Sequence, residues 1–279
     1  MFFPLSGLLL IKRQPMNEIR ITDSFIQGLC APIRDIADRA GLAILDIVER
    51  GFDVTTKEDR SPVTDADHAA EAIILPALAK LTPDIPVVSE EAAAQGDAPS
   101  VQGDTFWLVD PLDGTREFVQ GGIDYAVCIG LIAGGKPVFG LIHGPAKGIT
   151  YWTSTINTPV RAGADGIITP IAARKPPDDE LIAITSRFHG KAGGRQATFL
   201  ESIPMTERIL MGSALKFGRL AEGSADVYPR FGPTSEWDTC AGDAILRAAG
   251  GSIKTLDGKD LTYGKPKFLN PDFMARGIS

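Results

Sequence analysis

The sequence is short of cysteine, of histidine and of positive charge. Its 279 residues hold 3 Cys and 3 His, and 28 Lys plus Arg stand against 35 Asp plus Glu, for a formal net charge of −7. Cys30, Cys128 and Cys240 lie far apart and form no Cys-x-x-Cys pair, which argues against a disulfide framework or a zinc ribbon. A reducing cytoplasm is the simplest home. The cation deficit argues against non-specific nucleic-acid binding, which needs a Lys/Arg surface to neutralise phosphates. Long hydrophobic runs are missing as well: the apolar stretch Met1 to Ile11 is too short to span a bilayer, and Lys12 and Arg13 follow it where a signal peptide carries its charges in front. That stretch leaves open at most a weak peripheral contact with the inner membrane, and Met16 is an alternative start. Repeats and low-complexity tracts are also absent. Apolar residues are plentiful at 44%, enough for a large core, and the length suits one large domain or two intimate lobes. A small anionic substrate would need local cations or bound metal, and the carboxylate surplus points to metal.

From Asp23 to Arg50 apolar residues recur at helical spacing, among them Ile33, Ile36, Ala37, Ala40, Ile44, Ile47 and Val48. A polar segment, Thr55 to Asp67, leads to a second helical run, Ala69 to Leu81, which Pro76 is expected to kink or divide. Pro86-Val87-Val88-Ser89 and Phe106-Trp107-Leu108-Val109 read as short buried strands that deliver Glu90, Glu91 and Asp110 at their far ends. Tyr125 to Ile132 and Pro137 to His143 form a hairpin across Ala133-Gly134-Gly135-Lys136, and Tyr151-Trp152-Thr153 is a further strand. Ala172 to Glu180 is the best linker, and the lobes are drawn as residues 17–172 and 173–279. Beyond it come a strand at Leu181 to Thr185, a helix at Ala214 to Glu222, a strand at Ala225 to Tyr228 and a helix at Thr239 to Ala249, closed by Gly250-Gly251. Strands and helices mix without regular βα alternation, so the fold class is α+β and layered.

The most informative segment is Trp107-Leu108-Val109-Asp110-Pro111-Leu112-Asp113-Gly114-Thr115. Two aspartates flanking a proline at a strand end can hold two cations: Asp110 bridging, Asp113 serving one, and the Leu112 carbonyl the other. An isolated Asp-x-x-Asp-Gly is also an ordinary turn. Asp67 and Asp238 could each simply cap a helix, and Glu90-Glu91 could be solvated. Four acidic sites at the ends of apolar elements would converge if the strands are neighbours, and bound cations would make that repulsion tolerable.

The segment Lys57 to Asp67, Ser89-Glu90-Glu91 and Asp110 to Thr115 together resemble the magnesium-dependent, lithium-sensitive phosphatases related to inositol monophosphatase. Gly212-Ser213-Ala214-Leu215-Lys216-Phe217, Ala221 to Arg230 and Gly232 to Thr239 are similar to the 3'(2'),5'-bisphosphate nucleotidase branch of that family, and the resemblance runs from about Ile33 to Phe273. It implies the αβαβα sandwich of the sugar phosphatases, with the site between the lobes. It also implies that Glu90, Asp110 and the Leu112 carbonyl bind one Mg²⁺, that Asp110, Asp113 and Asp238 bind a second, and that Glu90 holds a third through water. Ions about 4 Å apart neutralise phosphate charge, activate water and stabilise the leaving oxygen of an in-line displacement, so no nucleophilic side chain is required. By the same resemblance Thr115 and Asp67 orient and deprotonate the attacking water, while the Gly114 and Thr115 amides grip the phosphate.

On the substrate side, Ser213, Lys216 and Arg230 correspond to nucleotide-contacting positions, Asp238 borders them, and His189 is the histidine expected near the base. Lys216 and Arg230 could otherwise be ordinary surface charges, Tyr228 a packing aromatic, His68 and His143 surface residues, and Cys128 and Cys240 packed thiols. Phe188, Ala214 and the strand Tyr125-Ala126-Val127-Cys128 depart from the branch pattern, which bears on base preference. The expected reaction is hydrolysis of adenosine 3',5'-bisphosphate to AMP and phosphate. The alternative within the family is an inositol or histidinol phosphatase, and a different class is an inactive, anion-binding regulatory relative.

Overall fold

A computed structural model describes residues 20–56, 62–101, 104–176, 179–187 and 194–278. The first helix, α1 (Asp23–Arg50), starts where the Thr22 hydroxyl accepts the Phe25 amide at 3.2 Å, and Gly51 ends it with φ +79°. Its buried residues, Ile26, Leu29, Ile33, Ile36, Ala37, Ala40 and Ile44, repeat at the helical period, as the sequence pattern requires. A two-stranded ribbon, β1 (Val54–Thr56) and β2 (Pro62–Thr64), leads into α2 (Asp65–Leu81). Thr64 and Asp67 cap α2 reciprocally, which moves its start four residues upstream of the periodic run. Pro76 does not divide α2. It and Ala72, whose carbonyl would lose its partner, are both exposed, so water can satisfy the freed oxygen while Ile74 and Leu78 stay buried.

The larger sheet is built from β3 (Val87–Ser89), followed by α3 (Glu90–Ala94), then β4 (Phe106–Asp113) and α4 (Thr115–Val119). It continues through β5 (Ala126–Ala133), β6 (Lys136–Gly144), β7 (Ile149–Thr155), β8 (Thr158–Ala162) and β9 (Ile168–Pro170), in the spatial order β3 to β9. Only β3 and β4 are parallel. Gly134 and Gly135 turn the β5–β6 hairpin with φ +56° and +74°, the paired positive values that such a tight turn demands. The strand expected to stop at Val109 runs on to Asp113, with an irregular register against β5 between Asp110 and Asp113.

The smaller sheet has β10 (Leu181–Thr185), then α5 (Arg195–Glu201), β11 (Met205–Leu210), α6 (Leu215–Ala221), β12 (Val227–Arg230), α7 (Cys240–Ala248), β13 (Ser252–Thr255) and β14 (Phe273–Arg276). Its order is β11-β10-β12-β14-β13. Three apolar clusters define the layers. Trp107 and Val109 of β4 face α1 and α2, whereas Phe106 and Leu108 face the side of α6 and α7. On β14, Phe273 and Ala275 face that same central helix layer, and Met274 points to the outer cluster containing Leu200 of α5. Period-two alternation thus yields an α+β sandwich of five layers, αβαβα. His143, expected on a surface, is 9% exposed, because β6 is covered by α1 and its Nδ1 lies 2.8 Å from the Thr150 hydroxyl. His68 is exposed, and Cys128 and Cys240 are fully buried as expected.

The central helix layer sits very close to the large sheet. A methyl group added at Gly140 of β6 would lie 2.1 Å from the Ala241 carbonyl oxygen of α7, a backbone atom that cannot rotate away. Overpacking of about 1–3 kcal/mol outweighs the gain of about 0.5–1 kcal/mol from replacing a strand glycine. Gly140→Ala is therefore expected to lower Tm by several degrees in a thermal melt; an unchanged Tm would mean that β6 and α7 separate freely.

Candidate metal centre and phosphate cavity

Parallel pairing sets Ser89 of β3 opposite Val109 of β4, so the residues that follow, Glu90 and Asp110, emerge side by side. Ser89 caps α3 through the Ala92 amide at 3.3 Å, which turns the chain at Glu90. Asp238 arrives from the other half of the chain, just before α7, with Oδ2 accepting the Ser235 amide at 2.9 Å. One carboxylate oxygen from each of Glu90, Asp110 and Asp238 lies within 4.8 Å of the others. Glu91 is buried rather than solvated, at 3% exposure. Asp113 stands beside this trio with Oδ2 accepting the Ala214 amide. The Leu112 carbonyl accepts the Thr115 hydroxyl at 3.1 Å.

Asp67 both caps a helix and reaches the site. Its Oδ2 accepts the Thr64 amide at 2.7 Å and the Thr64 hydroxyl at 2.8 Å, and its Oδ1 lies 3.3 Å from the Thr115 hydroxyl. Gly114, with φ +95°, makes the turn that opens α4 at Thr115. Asp113, Gly114 and Thr115 form one wall of a cavity of about 520 Å³, and Gly212, Ser213 and Lys216 lie on another, with Glu90 and Asp238 also lining it. Lys216 and Arg230 are not surface charges: they are 4% and 8% exposed. The Lys216 ammonium donates to the Ser213 carbonyl and lies 5.0 Å from the Tyr228 ring centre. Arg230 donates to the Thr234 hydroxyl at 2.5 Å and the Pro233 carbonyl at 2.7 Å. Tyr228 packs in the core against Phe217 and Phe273 and also lines the cavity. His189 and Phe188 lie outside the described residues, as do Met1 to Ile11, Met16 and Lys57 to Ser61.

The Inositol monophosphatase family model matches residues 28–277. The chain belongs to the inositol monophosphatase family. Among curated relatives, the 3'(2'),5'-bisphosphate nucleotidase CysQ of Escherichia coli K12 is 39% identical over 247 residues, covering 85% of this chain and 95% of that protein. The protein of the same name from Buchnera aphidicola is 36% identical over 272 residues, covering 95% and 100%. The crystal structure of CysQ from Bacteroides thetaiotaomicron superposes with a TM-score of 0.72 at 32% identity, covering 92% of this chain and 98% of that one.

The donor set of this inositol monophosphatase family member fits a hard divalent cation. Every cluster ligand is a carboxylate oxygen, the chemistry Mg²⁺ prefers over softer ions. Burial, then the charges of Asp113 and Glu90, push the Asp238 carboxyl up to about 8; burial also raises Asp113, with Lys216 opposing. Lys216 is pushed down to about 8, chiefly by burial, against the pull of Asp113. Sequence reasoning missed Asp124, Glu117 and Arg187, whose ion pairs border the cavity. Nothing local marks them, because their partners come from other elements.

The Asp238 shift fixes the sign of a pH effect. Its folded value lies above the ~3.9 of an unfolded aspartate, so its stabilising contribution is complete below about pH 4 and is lost as pH rises through about 8. Without divalent cation, Tm is expected to fall across that window, and Mg²⁺ should raise Tm most at its alkaline end. Asp238→Asn should flatten the slope and shrink the Mg²⁺-induced rise. Retention of both effects in the variant would refute a shared cation site at this cluster.

Proposed function

We propose that the chain is a magnesium-dependent 3'(2'),5'-bisphosphate nucleotidase that hydrolyses adenosine 3',5'-bisphosphate to AMP and inorganic phosphate. The carrying observation is the meeting of Glu90, Asp110 and Asp238 beside a cavity that Glu90 and Asp238 line together with the buried cations Lys216 and Arg230. Nucleotidase relatives at 36–39% identity over most of the chain support the substrate class.

Glu90, Asp110, Asp113, Asp238 and the Leu112 carbonyl would hold two or three Mg²⁺ ions. When bound, these supply charge neutralisation for the phosphoryl group and its leaving oxygen, and a more acidic water. The Thr115 hydroxyl, 3.3 Å from Asp67, can orient the attacking water by accepting its hydrogen bond and, as it takes the water's proton, pass its own proton to the Asp67 carboxylate, where the proton ends. The Gly114 and Thr115 amides are assigned to the phosphate, and Ser213, Lys216 and Arg230 to the rest of the nucleotide, with its second phosphate offsetting the two cations. Glu90 acts in catalysis through the water it would hold. The halves are read as lobes 17–172 and 173–279, with Asp238 contributed across the divide. A cytoplasmic location agrees with three unpaired thiols, and among the described residues no helix is long and apolar enough to cross a membrane. Lithium sensitivity is the family property expected to accompany this site.

A kinetic panel of adenosine 3',5'-bisphosphate, inositol monophosphate and histidinol phosphate, with and without Mg²⁺, tests the assignment. The bisphosphate should be preferred. Lys216→Met with Arg230→Gln should lower its kcat/KM at least about tenfold more than that of a monophosphate; equal losses would favour one of the other phosphatases. Asp113→Asn should nearly abolish turnover while preserving Tm, and full activity would refute its role as a ligand. Absence of Mg²⁺-dependent phosphate release from every compound would favour the regulatory relative.

A further inference from the structure

The turn Gly212-Ser213-Ala214 carries substrate contacts in a strained shape. Ser213 has φ +51°, a left-handed conformation that costs a residue with a side chain roughly 1–2 kcal/mol. Two acids hold its flanks: Ala214 donates its amide to Asp113, and Gly212 donates its own to Asp124 Oδ2 at 3.4 Å. Asp113 is explained by the catalytic site, whereas Asp124 is not. Asp124 lies just before β5, 2% exposed, and receives Lys147 at 2.9 Å on Oδ1 and Arg187 at 2.9 Å on Oδ2. Arg187 is also 3.6 Å from Glu117 of α4 and directly follows Ser186, another cavity residue. Burial opposes its charge, but Lys147, the Gly212 amide and Arg187 together hold the Asp124 carboxyl below its ordinary value.

The walls meet closely here. A methyl group at Gly212 would lie 2.5 Å from the Asp124 carbonyl oxygen, and one at Gly114 would lie 3.0 Å from that same oxygen and 3.2 Å from the Ser213 Cβ. Asp124 is therefore where the wall that carries Thr115 and the wall that carries Ser213 and Lys216 are set against each other. We infer that Asp124 is a positioning residue: bonded to Gly212, Lys147 and Arg187, it fixes the strained Ser213 turn and so the register of the substrate-binding wall. Asp124 does not line the cavity. The inference rests on the catalytic reading of the cavity and is independent of which phosphate ester is cleaved.

Loss of this pin should appear in KM, since misplacing a binding wall by about an ångström has large effects. Asp124→Asn is expected to raise KM about tenfold for the substrate the wild type turns over best, with the Mg²⁺ concentration for half-activation unchanged. Asp124→Glu, which keeps the charge, should recover KM to within about threefold. A merely structural role would lower Tm and the active fraction and leave KM alone, and that result would overturn the inference. Should Asp124→Asn not fold, Lys147→Met serves: Lys147 does not line the cavity, and its KM should rise about threefold, whereas an unchanged KM would be equally fatal. An inactive wild type would sink the catalytic reading, while an active wild type with unaltered variants would sink only the role of Asp124.

Discussion

Carboxylates held close together against their own repulsion are the constraint on which the rest of the structure depends. Two unit charges less than 5 Å apart at an effective dielectric near 20 repel by roughly 3 kcal/mol. Glu90, Asp110 and Asp238 make three such pairs, with Asp113 beside them. That repulsion is comparable with the whole net stability of a typical domain, about 5–15 kcal/mol. The protein must relieve it by taking up protons or cations. The raised carboxyls of Asp238 and Asp113 register the first route, and the all-oxygen donor set is built for the second.

The fold can impose this crowding because each acid lies on or beside a rigid, buried element. Asp110 continues β4, whose Phe106 to Val109 are fully buried. The irregular register that follows, around Pro111, frees the chain from plain alternation and lets Asp113 and Thr115 address the same cavity. Pro111 has no amide hydrogen to lose there. Asp238 is held to the Ser235 amide ahead of α7, and α7 packs directly on β5 and β6. The close contact between Gly140 and Ala241 thus belongs to the same sheet-to-helix packing that carries the third carboxylate into place.

What could be read from the sequence divides along physical lines. α1 and the β5–β6 hairpin were legible because their signals are local: a helical apolar period and paired glycines in a tight turn. The Asp110-to-Thr115 segment was legible because its chemistry is compressed into a few residues. Pro76 does not divide α2, because the carbonyl partner it removes is needed only where water cannot replace it, and this face is exposed. His143 misled because strand burial depends on whether a helix covers the sheet, which β6 alone does not state. Asp124 and Glu117 gave no signal at all: an aspartate before an apolar strand looks like a turn residue until Lys147, Arg187 and Gly212 arrive from elsewhere.

The buried cations complete the electrostatic argument. Lys216 and Arg230 would be expensive to bury alone, and the acids of the site offset that cost, as the opposing pull of Asp113 on Lys216 indicates. The dependence runs both ways, since Lys216 and Arg230 lower the burden on Asp113. Asp113 also anchors Ala214 while Asp124 anchors Gly212, so the strained Ser213 turn hangs between an acid beside the carboxylate trio and an acid of the ion-pair hub. One hydrogen bond therefore joins the acids of the cluster to the helix that carries Lys216.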